Sequence, residues 1–179
     1  MNLLIVFLAT LVVVLNLADA CDVYNAICVV RNGTVRGTIR LRSQSDYYAP
    51  VTVTGEISGL TAGEHGFHVH EYGDLSNGCM NAGAHYNPYR RNHGGEFDAV
   101  RHVGDLGNIL AGWDGRALVN KVDYQLKLCG PISILGRAIV VHSGRDDLGR
   151  GGNPESLKTG NSGSRVGCCV IAVASPPTD

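Results

Sequence analysis

The sequence has little net charge, few aromatic residues and no long helical pattern, and each shortage narrows the possible functions. The formal net charge of the 179 residues is −1, and aromatic residues make up 6% of them. The near-neutral charge does not indicate nucleic-acid binding. The sequence also lacks a basic tail that would predict an anchor to heparin or to a membrane surface. Neither Cys-x-x-Cys nor His-Glu-x-x-His occurs, which argues against thioredoxin-like chemistry and a helical zinc protease site.

The chain begins with an almost unbroken apolar run from Leu3 to Leu15. Ala18-Asp19-Ala20 follows it and fits the small-residue pattern of a signal cleavage site. The run is shorter than the roughly 20 residues that a membrane-spanning helix needs. We therefore expect a signal peptide at residues 1–20, a mature domain at residues 21–179 and a secreted protein. The run is preceded by no Lys or Arg, so a retained membrane anchor is the alternative.

Short apolar runs between Gly-rich turns predict an all-β domain. The 24 glycines follow no Gly-x-y period, so a collagen-like chain is excluded. Apolar and polar residues alternate at 35–42 and 51–57, and Asn32-Gly33 predicts a type I′ hairpin turn between two strands. About eight short strands, with at most one helical turn near 154–158 and no second domain, predict an antiparallel sandwich or barrel.

Six of the seven histidines lie between residues 65 and 102, in the segments HGFHVHEYGD, GAHYNP, RNHGG and RHVGDLGN. His68 and His70 occupy alternate positions of a predicted strand, so their side chains point the same way. Neutral imidazole suits copper and zinc. Taken alone, this pair fits a metal site and two surface histidines equally well.

The segment after this strand strengthens the metal interpretation. His85, His93, His102 and Asp105 lie in Gly-, Asn- and Arg-rich sequence with few apolar residues, which predicts a long functional loop. Three imidazoles and one carboxylate form the nitrogen and oxygen set that suits tetrahedral zinc. The alternative is a charged, solvated loop.

Together with DDLGRGG at 146–152 and NSGSRVGC at 161–168, these segments resemble copper/zinc superoxide dismutases over about residues 22–174. The resemblance implies an eight-stranded antiparallel Greek-key barrel or sandwich, immunoglobulin-like, with long metal-binding and electrostatic loops. It implies copper on His68, His70, His85 and His142, and zinc on His85, His93, His102 and Asp105. His85 would bridge the metals, and both would lie outside the barrel wall. His65 is expected to be structural.

The resemblance also implies roles for residues beyond the ligands. Arg165 would attract and orient the anionic substrate, with a surface ion-pair role as the alternative. Lys158 and Thr159 would line the substrate channel, where Pro154 departs from the acidic residues common in the family. Asp146 would hydrogen-bond one histidine of each metal site, with a turn-capping role as the alternative.

The cysteines are only partly assigned. The resemblance implies a disulfide between Cys79 and Cys168. We interpret Cys28, Cys129 and Cys169 as buried small apolar residues and Cys21 as exposed. A second bridge or an intersubunit bond remains open.

The expected function is that of a secreted superoxide dismutase, in which copper cycles between two oxidation states and zinc is structural. The alternatives are a non-catalytic copper- and zinc-binding or decoy protein and a zinc hydrolase, which would need an open zinc position and a general base. The resemblance implies a homodimer through an apolar patch at Gly73, Leu135, Gly136, Val170 and Val173. We expect neither nucleic acid nor, once the signal is removed, a membrane as partner. Asn32-Gly33-Thr34 is also an N-glycosylation sequon, unless Asn-Gly serves only the turn.

Overall fold

The computed structural model describes residues 23–44 and 49–176. The signal peptide predicted at residues 1–20 and the exposed position predicted for Cys21 lie outside these ranges. In the described ranges, no helix is both long and apolar enough to span a membrane.

The described chain is built from β-strands, which confirms the all-β prediction. The ten strands are β1 Asn25–Asn32, β2 Val35–Arg42, β3 Val51–Ser58, β4 Gly63–His70, β5 Ser76–Cys79, β6 Asp105–Ala111, β7 Ala117–Asp123, β8 Ala138–His142, β9 Arg165–Val170 and β10 Ala172–Val173. Helical structure is limited to a 3₁₀ turn at Met80–Ala82 and the one-turn helix α1 at Ser156–Thr159. The structure has two strands more than predicted: the short strand β5, and β10, which is separate from β9.

Nine strands form one antiparallel sheet in the order β10-β1-β2-β3-β7-β6-β4-β8-β9. This order puts β7 beside β3 and β4 between β6 and β8, so long connections cross the barrel ends, as in a Greek key. The C-terminal segment nearly closes the barrel, because β9 pairs with β8 while β10 pairs with β1. The predicted Greek-key barrel is therefore confirmed.

Strand alternation decides which side chains fill the barrel. Ile39, Leu41, Val51 and Val53 are fully buried in the core. Burying such a side chain contributes about 1.5–3 kcal/mol. In β4, Phe67 and Val69 belong to the same core, so the intervening histidines point outward.

The predicted hairpin is present, but its turn is not the predicted one. Asn32 pairs with Val35, so the loop is Gly33-Thr34 rather than Asn32-Gly33. Gly33 has φ 59° and Thr34 is not among the residues with positive φ, as in a type II′ turn with Gly first. Asn32 stays in the strand because its amide donates to Val166 O at 3.0 Å, a tertiary contact that the local sequence does not reveal.

Candidate metal centre

Strand pairing brings distant residues of the sequence together outside the barrel wall. On β4, His68 lies opposite Asp105, the first residue of β6. His70 lies opposite Ala138 of β8, the strand that ends at His142. The loop after β4 folds back so that His85 forms a bridge with His70.

The structure brings the predicted ligands into two groups that share His85. The copper group is His68, His70, His85 and His142, and the zinc group is His85, His93, His102 and Asp105. In each group the potential ligand atoms lie within 4.8 Å of one another, and all seven residues are buried. A buried cluster of imidazoles in contact is not the solvated loop that the sequence left as an alternative.

In the copper group, hydrogen bonds leave one nitrogen of each histidine facing the centre. Nδ1 of His70 lies 2.9 Å from Gly83 O, and Nδ1 of His142 lies 3.2 Å from Gly163 O. Their Nε2 atoms are 3.3 Å apart, and both point into the group. Backbone carbonyls therefore fix the ring orientation, as partners of metal-binding histidines commonly do.

Asp146 connects the two groups. Its fully buried carboxylate lies 2.8 Å from Nε2 of His68 and 2.7 Å from Nε2 of His93, one histidine from each group. Burial alone would raise its pKa, but hydrogen bonds from both imidazoles hold the pKa of Asp146 below its usual range. The ionised carboxylate thus orients Nδ1 of each ring toward its group.

In the zinc group, three imidazole nitrogens converge on one carboxylate oxygen. Asp105 Oδ1 lies 2.8 Å from Nδ1 of His85, 3.0 Å from Nδ1 of His93 and 3.1 Å from Nδ1 of His102. Asp105 Oδ2 accepts the backbone N–H of Gly94 at 3.1 Å and of His102 at 2.8 Å. Three nitrogens and one oxygen in this arrangement match the donor set of four-coordinate zinc.

Buried nitrogens without partners test whether metals fit these groups. Among the described residues, His68 Nδ1, His85 Nε2 and His93 Nδ1 find no hydrogen-bond partner; the His93 contact with Asp105 lacks hydrogen-bond orientation. An unsatisfied buried polar atom costs about 1–3 kcal/mol. Each of these nitrogens belongs to one of the two groups, so metal ligation would satisfy it. The residues therefore fit copper and zinc.

Burial keeps the copper-group histidines neutral, which is the form that binds metal. Burial and the neighbouring His85 lower the pKa of His68 to about 3. Burial also lowers the pKa of His142 to about 4 and that of His70 well below its usual value. For His93, burial is outweighed by its contacts with the carboxylates of Asp105 and Asp146, which raise its pKa to about 9.

Comparison with known proteins agrees with this geometry. A family model described as copper/zinc superoxide dismutase (SODC) matches residues 35–171. The chain belongs to the copper/zinc superoxide dismutase family. Copper and zinc are the metals of this family, and the structure contains two His/Asp groups with the geometry to hold metal ions.

Similar proteins are found in nematodes and an amoeba. "Superoxide dismutase [Cu-Zn]" of Onchocerca volvulus is 55% identical over 152 residues, covering 83% of this chain and 96% of the relative. "Superoxide dismutase [Cu-Zn] 5" of Dictyostelium discoideum is 51% identical, covering 84% and 98%. "Extracellular superoxide dismutase [Cu-Zn]" of Brugia pahangi is 52% identical, covering 80% and 72%.

In this superoxide dismutase fold, Arg165 lies beside the copper group because β9 places it opposite His142. Its guanidinium donates to Cys79 O at 2.7 Å, Met80 O at 3.1 Å and Gly83 O at 2.6 Å. Gly83 O also faces Nδ1 of His70, so one loop positions both the arginine and a copper-group histidine. No acid pairs with the guanidinium in the described ranges, unlike the surface ion-pair alternative.

A cavity of about 510 Å³ opens onto the copper group. Its wall includes His70, His85, His142 and Arg165, and its rim carries Glu155, Lys158 and Thr159 around α1. The structure thus brings the predicted channel residues to one opening. Pro154 precedes them on the exposed surface and adds no charge.

His65 does not belong to either ligand group. Its Nδ1 lies 2.7 Å from His142 O and its Nε2 lies 2.8 Å from Thr61 O. Both ring nitrogens therefore contact the backbone, in agreement with a structural role that holds the end of β8.

The disulfide between Cys79 and Cys168 is present. Cys28 and Cys169 are buried, as interpreted, whereas Cys129 is only half-buried. All three are disulfide-bonded, so the possibility of a second bridge that the sequence left open is the correct one. Cys28 and Cys169 form a second disulfide with Cα atoms 5.4 Å apart, and Cys129 is also disulfide-bonded. Adjacent residues of β9 point to opposite faces, so Cys168 faces the loop and Cys169 faces the core. β1 reaches Cys169 only when the barrel closes, so local sequence could not assign this pair.

Arg101 supports the zinc group, a role that its sequence context did not predict. This buried guanidinium donates to Asp105 O at 2.9 Å and to His102 O at 3.2 Å. Its Nη2 atom pairs with Asp123 at the end of β7 at 2.5 Å. An arginine in a polar loop gave no sign of burial, because its partners are mostly backbone carbonyls.

Proposed function

We propose that this chain is a secreted superoxide dismutase that converts superoxide to oxygen and hydrogen peroxide. The observation that carries the proposal is the position of His85 between the two ligand groups. Its Nδ1 lies 2.8 Å from Asp105, and its buried Nε2 lacks a partner on the side of the copper group. An imidazole shared by two groups of potential ligands would suit a redox metal with a structural metal beside it, and not the open zinc position of a hydrolase.

The proposed roles of the two metals follow from the donor atoms in each group. His68, His70, His85 and His142 would hold copper, and His85, His93, His102 and Asp105 would hold zinc. When bound, copper supplies the one-electron chemistry that zinc, which has no redox chemistry, cannot supply.

Arg165 is the proposed substrate-orienting residue. Its charged, planar guanidinium lines the cavity together with His142 and presents fixed N–H donors to a small anion. Burial lowers the pKa of Arg165 from its usual value, which marks partial removal from water. Lys158 at the rim attracts the anion, Thr159 offers a hydroxyl, and Glu155 opposes the attraction.

His85 is the proposed proton carrier. Its Nε2 atom can hold a proton when it faces the cavity, while Asp105 keeps the ring oriented through Nδ1. Burial lowers the pKa of His85, against the opposing effect of the Asp105 hydrogen bond, so a proton held at Nε2 is readily given to the reduced substrate.

The experiment that tests the function measures superoxide dismutation per bound copper in the oxidised chain loaded with copper and zinc. Rapid turnover that disappears when copper is removed and returns when it is restored is the expected result. Stoichiometric copper with negligible turnover would instead support the non-catalytic, metal-binding or decoy alternative.

We also propose secretion and a homodimer. Disulfide bonds at Cys28, Cys79 and Cys129 suit an oxidising compartment, and the relative from Brugia pahangi is named extracellular. A signal peptide at residues 1–20 is the proposed route. Asn32, which is exposed, is the proposed glycan acceptor, and its amide keeps one N–H for Val166 O after linkage.

The proposed dimer surface is contiguous. A Cβ atom on Gly73 would meet Gly136 O at 2.1 Å and Val170 at 3.2 Å, so these segments touch. Val170 and Val173 are 38% and 62% exposed, which leaves apolar area for a partner. Sedimentation should give twice the monomer mass, and Val170→Glu should shift it to the monomer. A monomeric parent protein would exclude the dimer.

A further inference from the structure

Four arginines lie on the outer face of β1 and β2. This face belongs to the side of the barrel away from the metal groups. Arg31, Arg36, Arg40 and Arg42 are all exposed, whereas Ile39 and Leu41 between them are buried. Within the described ranges, none of the four forms an ion pair. We call these four residues the arginine stripe.

Strand register concentrates the charge of the stripe. Arg31 of β1 lies directly opposite Arg36 of β2. Like charges directly opposite each other in a sheet are destabilising, so this pair raises the free energy of the fold unless an anion binds there. Across β1, β2 and β3 the only acid is Glu56, whose carboxylate lies 2.8 Å from Arg116, the residue before β7.

The stripe is long and shallow. Arg36 and Arg42 are six residues apart on one strand, which corresponds to roughly 20 Å. A depression of about 600 Å³ is lined partly by Arg31 and Arg36, and another of about 440 Å³ is lined partly by Arg40 and Arg42. This shape suits an extended chain with several negative groups better than one small anion.

We propose that the arginine stripe binds a linear polysaccharide that carries sulfate groups. Each guanidinium can donate two parallel hydrogen bonds to an oxyanion. Half-buried hydroxyls of Thr38, Thr52 and Thr54 lie beside the arginines and can bond sulfate or sugar oxygens. Encountering such a polysaccharide rests on the proposed secretion, but binding itself does not depend on dismutation.

Other polyanions fit this face less well. The outer face of β1, β2 and β3 carries no aromatic side chain on which nucleic-acid bases could stack. Val29 is 41% exposed and Ile27 is half-buried, which is too little apolar surface to enter a bilayer. The copper cavity is formed from β4, β8, β9 and the loops, so a bound chain on β1 and β2 leaves it open.

The test measures binding of the metal-loaded protein to immobilised dextran sulfate, with uncharged dextran as the blank, over a range of salt concentrations. The stripe variant Arg36→Gln/Arg40→Gln is compared with Arg90→Gln/Arg145→Gln, which removes two exposed positive charges elsewhere. We expect the stripe variant to bind about tenfold more weakly at ~0.15 M salt and the control to change less than about twofold. Dismutation per copper should be equal in all three proteins.

Three results would overturn the proposal. Equally weakened binding in both variants would show that only total charge matters. No binding of the parent protein to dextran sulfate at ~0.15 M salt would exclude a sulfated polysaccharide as the ligand. Tighter binding to phosphatidylserine vesicles or to a short DNA duplex than to dextran sulfate would assign the face to another partner. If the double variant does not fold, the same binding measurement is made with Arg36→Gln alone. This variant should be no less stable than the parent, because it removes the repulsion with Arg31.

Discussion

The buried disulfide between Cys28 and Cys169 gives a prediction whose magnitude follows from chain topology. With the Cys79–Cys168 bond intact, removing the Cys28–Cys169 bond opens a loop of about 50 residues, since Cys168 and Cys169 are adjacent. Loop-closure entropy then gives a loss of about 4 kcal/mol in the free energy of unfolding. Both sulfurs lie in the core beside residues such as Val30, so Cys28→Ala/Cys169→Ala should also lose some packing.

Urea unfolding of the metal-free protein, followed by circular dichroism, measures this loss. The matched control is Cys79→Ala/Cys168→Ala, which removes the bond between β5 and β9. That control should lose stability and also activity, because Arg165 donates to Cys79 O and its loop would be released. The core variant should keep its copper content and its dismutation per copper, because its disulfide contacts neither ligand group.

Two outcomes would refute this reasoning. An unchanged urea midpoint in the core variant would mean that the Cys28–Cys169 bond adds no constraint on the unfolded chain beyond that of the remaining disulfides. Loss of copper or of turnover per copper in a folded core variant would mean that the barrel seam and the metal groups are coupled, contrary to their separation in the structure.

Three further predictions concern the site. Arg165→Ala should leave copper content near normal and lower kcat/KM at least about tenfold, as measured by dismutation per copper; unchanged activity would contradict its role. His85→Ala should weaken the binding of both metals, measured as metal content after dialysis. Zinc held at full affinity would contradict a shared ligand. Asp146→Asn should weaken both metals about 10–100-fold because it orients His68 and His93; weakening of one metal alone would rule out a shared support.

Several features of the site could be predicted from residue spacing. Alternation in β4 required that His68 and His70 share a face, and the alternating core residues Phe67 and Val69 required that this face be the outer one. The zinc set could be anticipated because His85, His93, His102 and Asp105 lie in one polar loop. The all-β fold followed from the short alternating runs.

Other features depended on contacts between distant segments. The hairpin turn moved because Asn32 donates to Val166, more than 130 positions away. The inward-facing nitrogen of His68 is set by Asp146, and those of His70 and His142 are set by the carbonyls of Gly83 and Gly163; backbone carbonyls have no sequence signature.

The residue chemistry of this superoxide dismutase can be read from the amino-acid sequence: which imidazoles and carboxylate could bind metals, and which strand residues enter the core. These properties are local, because they follow from side-chain type and the two-residue period of a strand. Three further features required the folded chain: Cys28 meets Cys169, Arg101 is buried under the zinc group, and Arg31 faces Arg36 without a counter-charge among the described residues. Each of these depends on register and barrel closure, which result from the packing of the whole core.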